Sequence, residues 1–147
     1  MLNTRIGDIQ AENMMGIAGT PRGIGVDIVN IREVERLDLE AEGFSQRLFT
    51  EREQAEASSR GQGRASYLAG RFAMKEAVFK AVAHLTPECT FDLRIVETLS
   101  APDGSPQIQM TPAFTSVCSK AGVSAVLASI SNEGDLAVAF AIAVTAV

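Results

Sequence analysis

Glu76 and Lys80 stand four residues apart in the run Arg64 to Leu85, RASYLAGRFAMKEAVFKAVAHL. That run has one glycine, no proline and many alanines, so it reads as one long helix. On a helix a carboxylate and an ammonium at this spacing project side by side. Two readings fit the pair: a solvated surface contact, or part of a site that handles an anion. At about 100° per residue, Leu68, Phe72, Val78, Phe79 and Val82 share one arc, the expected core stripe. Ala69, Ala73, Ala77 and Ala83 share the other arc with Glu76 and Lys80, a floor of methyl groups that would let a ligand approach the backbone. Arg71 and Lys75 fall along the large-residue arc, where a cation needs a partner or a route to water.

The second chemically suggestive residue is Asp27, inside the β-branched run Gly23 to Ile31, GIGVDIVNI. An aspartate within an apolar strand is costly unless it is paired, hydrogen-bonded or bound to a cation; at a strand end it would instead cap a turn. The GxG precedes the aspartate inside the strand rather than opening a helix, which excludes a dinucleotide fingerprint or a P-loop.

Around these residues the remaining elements follow in order. Residues 1–21 show no sustained period and read as an N-terminal extension, either poorly ordered or carrying a short helix around Ile9 to Met15; residues 22–147 form the domain. Arg32 to Glu40 reads as a polar helix with Val34 and Leu37 inward, and Phe44 to Phe49 as a further helical turn. Thr50 opens a capping box with Glu53 and a helix to about Ala57, and Ser58 to Gly63 is a loop. Phe91 to Leu99 and Gln107 to Met110 alternate as strands joined by the turn APDGSP. Pro112 to Ala121 is a helix between an N-capping Thr111 and a closing Gly122. Ser124 to Ser131 and Leu136 to Val144 are the last strands, hinged at NEGD. The fold class is α+β, a long central helix packed on a mostly antiparallel sheet.

With 147 residues and 46% hydrophobic content the chain is long enough to bury a core. A net charge of -5 argues against general nucleic-acid binding, although the basic residues cluster between Arg32 and Lys80 and leave room for a local anion site. Cys89 and Cys118 lack metal-ligand spacing, so zinc is not expected and a reduced, cytoplasmic protein is the default. No apolar run reaches the length of a membrane span, and the N-terminus does not read as a secretion signal.

Taken together, GIGVDIV (Gly23 to Val29), FSQRLFTEREQA (Phe44 to Ala55), LAGRFAMKEAVFKA (Leu68 to Ala81), the DGSP turn and SISNEGDLAVAFA resemble the 4'-phosphopantetheinyl transferases of the short holo-acyl-carrier-protein synthase type. The resemblance implies that fold, a homotrimer with active sites at subunit interfaces, and transfer of 4'-phosphopantetheine from coenzyme A to a serine of an apo acyl carrier protein, releasing 3',5'-ADP. It implies that Asp27 and Glu76 hold Mg2+, or Mn2+ in its place, and that Lys80 contacts the phosphate being cleaved. Arg71, Pro106 and Asn132 match positions at the coenzyme A site. Glu76 is the candidate to receive the serine proton. Charges alone would also permit a magnesium-dependent hydrolase of nucleotide diphosphates, and a silent carrier-docking domain is the reading from a third class.

Three positions depart from the family. Glu33 stands where many relatives place an arginine that grips an acidic carrier, leaving Arg32, Arg36 and Phe44 as docking candidates. That change points to a less acidic docking face, such as a carrier domain within a type I fatty acid or polyketide synthase. Asn132 replaces a usual histidine, and Ser105 stands where the turn often supplies a cation; both changes weaken the grip on the 3'-phosphate unless other basic residues compensate. The lone His84 lies one turn beyond Lys80, placed either to meet the helix C-terminal dipole or to act as a base; the first fits better, because the family does not use this position.

Overall fold

The computed structural model describes residues 19–145, so the expected extension lies largely outside the described residues. Strand β1 (Thr20–Asn30) is followed by helices α1 (Ile31–Glu40), α2 (Phe44–Leu48), α3 (Glu51–Ser58) and α4 (Arg64–Val82). The hairpin β2 (Thr98–Ser100) and β3 (Pro106–Ile108), helix α5 (Pro112–Ala121) and the long strands β4 (Val123–Glu133) and β5 (Leu136–Thr145) complete the chain. The three long strands form an antiparallel sheet in the order β1-β5-β4, and α4 lies across it. The α+β architecture expected from the sequence is therefore present.

Local chemistry sets the boundaries. Asn30 ends β1 and caps α1, its side-chain oxygen accepting from the backbone N–H groups of Arg32 and Glu33. Thr50 and Glu53 form the reciprocal capping box of α3. Thr111, Pro112 and a left-handed Gly122 start and stop α5 at the residues expected.

The two-faced reading of α4 needs correction. Of the alanine arc, Ala69, Ala73 and Ala77 are fully buried and Ala83 partly so, and Leu68, Met74, Val78, Ala81 and Val82 are fully buried as well. The alanines of that arc meet the sheet and form no open floor for a ligand, while Glu76 and Lys80 on the same arc stay accessible. A Cβ on Gly25 would stand 1.8 Å from the Ala77 carbonyl oxygen, and one on Gly23 1.8 Å from that of Ala81. Glycine and alanine are thus needed so that strand and helix backbones can touch. Ala137, Ala139, Ala141 and Ala143 of β5 are buried in the same layer. Phe79, expected in the core, is 38% exposed and meets Phe91 edge-on.

Lys75 is the larger surprise. It is fully buried, its ammonium lying 2.8 Å from the equally buried Glu53 and donating to the Val96 carbonyl at 2.7 Å. Burial pushes the Lys75 ammonium toward neutrality, and the Glu53 charge opposes that. Glu53 also accepts from the Thr50 and Thr98 N–H groups. One carboxylate therefore ties α3, α4 and β2 together.

The expected strand over Phe91 to Leu99 is mostly absent. Asp92 accepts from the Arg94 N–H at 2.9 Å and turns Leu93–Ile95 into a 3-10 turn, so only Thr98–Ser100 pairs with β3. A short polar side chain offering the backbone a local partner wins over the ladder there.

Candidate functional site

Period-two alternation puts Asp27 on the same side of β1 as Gly23 and Gly25. Those glycines rest on Ala81 and Ala77 respectively, so two strand residues advance with one helical turn in the opposite direction. Asp27 follows on the same face of the strand, and the long Lys80 side chain reaches it from α4. Lys80 Nζ donates to Asp27 Oδ1 at 2.9 Å and to the Val26 carbonyl at 3.0 Å. Asp27 is thus mid-strand and paired, and it does not cap a turn.

Glu76 is half-buried, and its affinity for a proton is raised by burial first and by the nearby Asp27 charge second, with Lys80 acting against both. Two acids separated by 49 positions in the chain therefore share one local field. Lys80 keeps about half its side chain in solvent while holding Asp27 and the Val26 carbonyl, which leaves one of its three N–H donors for a ligand. Among the described residues no cluster of three or more histidine, cysteine or acidic side chains occurs. The candidate donors are two carboxylates, Asp27 and Glu76, whose charges act on one another. Such a pair suits a hard divalent cation that takes its other ligands from phosphate and water.

His84 is exposed, and its Nδ1 lies 3.3 Å from the Lys80 carbonyl oxygen, a contact that needs an Nδ1–H donor. It closes the end of the helix and lines, with Arg22, Gly23 and Lys80, an open cleft of about 550 Å³.

A second cleft, of about 250 Å³, lies between α4, the β2–β3 hairpin and β4. Arg71 and Asn132 both line it, together with Arg60, Tyr67, Gly70 and Ser100. Pro106 stands opposite Ser100 in the hairpin ladder and is not among the lining residues. Ser105 is turned back onto Asp103, donating to its carboxylate at 2.6 Å, so the turn supplies no cation. Arg60, Tyr67 and Glu56 were not expected here. Tyr67 donates to Glu56 at 2.6 Å, and Ser100 N–H binds the same carboxylate. Burial pushes the Glu56 carboxyl up, but these hydrogen bonds and the Arg71 charge outweigh it and keep Glu56 ionised.

The docking candidates lie on another face. Arg32 pairs with Asp135 at 2.9 Å, and Arg36 with Glu33 at 2.6 Å and Glu40 at 3.2 Å. Phe44 is half-buried and meets Phe49 edge-on. Helix α1 carries four carboxylates against two guanidiniums, and both guanidiniums already have partners.

The sequence profile of the 4'-phosphopantetheinyl transferase superfamily matches residues 23–141. A holo-[acyl-carrier-protein] synthase of Desulforudis audaxviator is 41% identical over 125 residues, 83% of this chain and 92% of that relative. The crystal structure of the Neisseria meningitidis holo-[acyl-carrier-protein] synthase superposes with a TM-score of 0.73 at 31% identity, over 84% of this chain and 98% of that one. The Bacillus anthracis synthase in complex with CoA (3',5'-ADP) superposes with a TM-score of 0.67 at 28% identity, over 84% of this chain and 96% of that one.

Proposed function

We propose, for a chain that belongs to the 4'-phosphopantetheinyl transferase superfamily, that it transfers 4'-phosphopantetheine from coenzyme A to a serine of an apo acyl carrier protein. The observation that carries this reading is the Lys80–Asp27 ion pair across the β1–α4 contact, with Glu76 one helical turn before Lys80 and within reach of the Asp27 charge. Asp27 and Glu76 would hold Mg2+, with Mn2+ as a substitute. When bound, the ion supplies charge neutralisation at the diphosphate, the main requirement of phosphoryl transfer.

The chain's own residues do the rest. Lys80, anchored on Asp27 and the Val26 carbonyl, presents an ammonium to the phosphate from which the nucleotide departs. Glu76, whose proton affinity is raised, receives the proton of the carrier serine. The serine oxygen bonds to the β-phosphorus, the bridging oxygen bond to that phosphorus breaks, and 3',5'-ADP leaves. Arg71 and Asn132 bind the nucleotide end.

The carrier is a domain of weakly acidic docking face, such as one within a type I synthase. Helix α1 supports this, since its arginines are neutralised by Asp135, Glu33 and Glu40 and would hold a strongly acidic partner poorly. The exposed Ile24, Val26, Ile28 and Phe140 on the outer face of β1 and β5 support burial in a homotrimer. No helix among the described residues is long and apolar enough to cross a membrane; the cytoplasm, where coenzyme A is made, is the proposed location.

Intact-mass analysis of an apo carrier after incubation with coenzyme A and magnesium tests the reading. A gain of one phosphopantetheinyl group supports it. An unmodified carrier points to docking alone, and coenzyme A cleavage without transfer points to a hydrolase.

A further inference from the structure

The cleft beside Arg71 holds more cationic capacity than Arg71 alone supplies. Both Arg60 and Arg71 stack on the Tyr67 ring, their guanidinium carbons 5.0 and 4.4 Å from its centroid. Both donate to the same Ser100 hydroxyl at 2.8 Å. Two guanidiniums converge on one hydroxyl against a single carboxylate, Glu56, so the cluster keeps one positive charge unmatched. The nearby carboxylate, Glu56, lies 3.8 Å from Arg71 and is engaged by Tyr67 and Ser100. Arg71 is 7% exposed, and its Nε lacks any hydrogen-bond partner, so a buried guanidinium reaches the cleft with donor capacity unfilled. Arg60 is exposed, lies in the loop before α4 and is held at the cleft by Ser100 and Tyr67. Gly104, with open space beside its Cα, leaves the hairpin side of the cleft unobstructed.

We propose that Arg60 is a phosphate-binding residue of this chain, which with Arg71 grips the 3'-phosphate monoester of coenzyme A. It supplies from the α3–α4 loop the cation that Ser105 does not supply from the hairpin turn. Paired guanidiniums suit a dianionic phosphate, since each presents a planar fork of donors. Tyr67 holds both arginines by cation–π contact, and Ser100 sets their spacing. The inference rests on the coenzyme A reading above.

Calorimetric titration with 3',5'-ADP and with 5'-AMP, which lacks only the 3'-phosphate, tests it without turnover. The wild-type protein should favour 3',5'-ADP. Arg60→Gln should lower that affinity about tenfold, the worth of a charge-assisted hydrogen bond, and leave 5'-AMP binding unchanged. Arg60→Lys should recover part of the loss. An equal loss for both nucleotides, or none, overturns the assignment while the coenzyme A reading stands. If the wild-type protein binds neither nucleotide, both readings fall. An unchanged circular dichroism spectrum for Arg60→Gln, expected of an exposed loop residue, assigns the loss to binding.

Discussion

Glu53→Gln is the sharpest test of how the core is built. Glu53 is fully buried and accepts from Lys75, from the Thr50 N–H and from the Thr98 N–H. Glutamine keeps the volume but removes the charge and replaces one acceptor oxygen with an NH2 group that faces donors. The Lys75 ammonium, buried and without its counterion, then loses its proton. Holding a lysine neutral at pH 7 costs about 4.6 kcal/mol, or 1.36 kcal/mol for each of the roughly 3.4 pH units below its ordinary value. That agrees with the roughly 3–5 kcal/mol expected for breaking a buried pair. The pH dependence carries the signature. The variant's folded state has a neutral Lys75 and its unfolded state a protonated one, so unfolding takes up a proton and stability rises with pH. The deficit relative to wild type should therefore shrink by up to about 2.7 kcal/mol between pH 7 and pH 9. Urea unfolding followed by circular dichroism at fixed protein concentration measures both values. Adding Lys75→Met should recover most of the loss at pH 7. A deficit below about 1 kcal/mol, or one that stays constant from pH 7 to pH 9, refutes the reasoning.

Gly25→Ala should separate β1 from α4, because its Cβ would sit 1.8 Å from the Ala77 carbonyl oxygen; a loss of about 1–3 kcal/mol in thermal or urea unfolding, with transfer falling alongside, is expected. Lys80→Ala should lower kcat more than it weakens coenzyme A binding, read by steady-state kinetics beside calorimetry; an unchanged kcat would remove Lys80 from the reaction. Thr50→Ala removes half of a capping box and should cost about 1 kcal/mol, measured by urea unfolding. Glu33→Arg should speed modification of a strongly acidic free carrier in a rate comparison at low and high salt; no gain would contradict the charge argument at α1.

Most of the fold could be read from local chemistry. Capping by Thr50 and Glu53, by Thr111 and Pro112, and closure at Gly122 are short-range events whose signals lie within a few residues. The site was partly legible too: a polar residue inside GIGVDIV had to find a partner, and the partner is Lys80. The sequence did not reveal which arc of α4 meets the sheet, because alanine suits both a ligand floor and a helix–sheet contact. The glycines of β1 decide it, and they act across 50 or more residues. A separation of 22 residues hid Glu53–Lys75 as well: Glu53 read as a cap, Lys75 as a cation needing a partner, and only the packing of α3 on α4 joins them. Asp92 read as part of a strand, yet its capping of Arg94 N–H ended the ladder. Arg60 lay in a loop without any periodic signal.

The central claim is that Asp27 and Glu76 hold one divalent cation together. A crystal soaked with Mn2+ and coenzyme A, measured at an X-ray energy where manganese scatters anomalously, tests it directly. The account predicts a single strong peak bonded to both carboxylates and to phosphate oxygens, lost in Asp27→Asn. A peak bonded to neither carboxylate, or one that persists undiminished in Asp27→Asn, would contradict it.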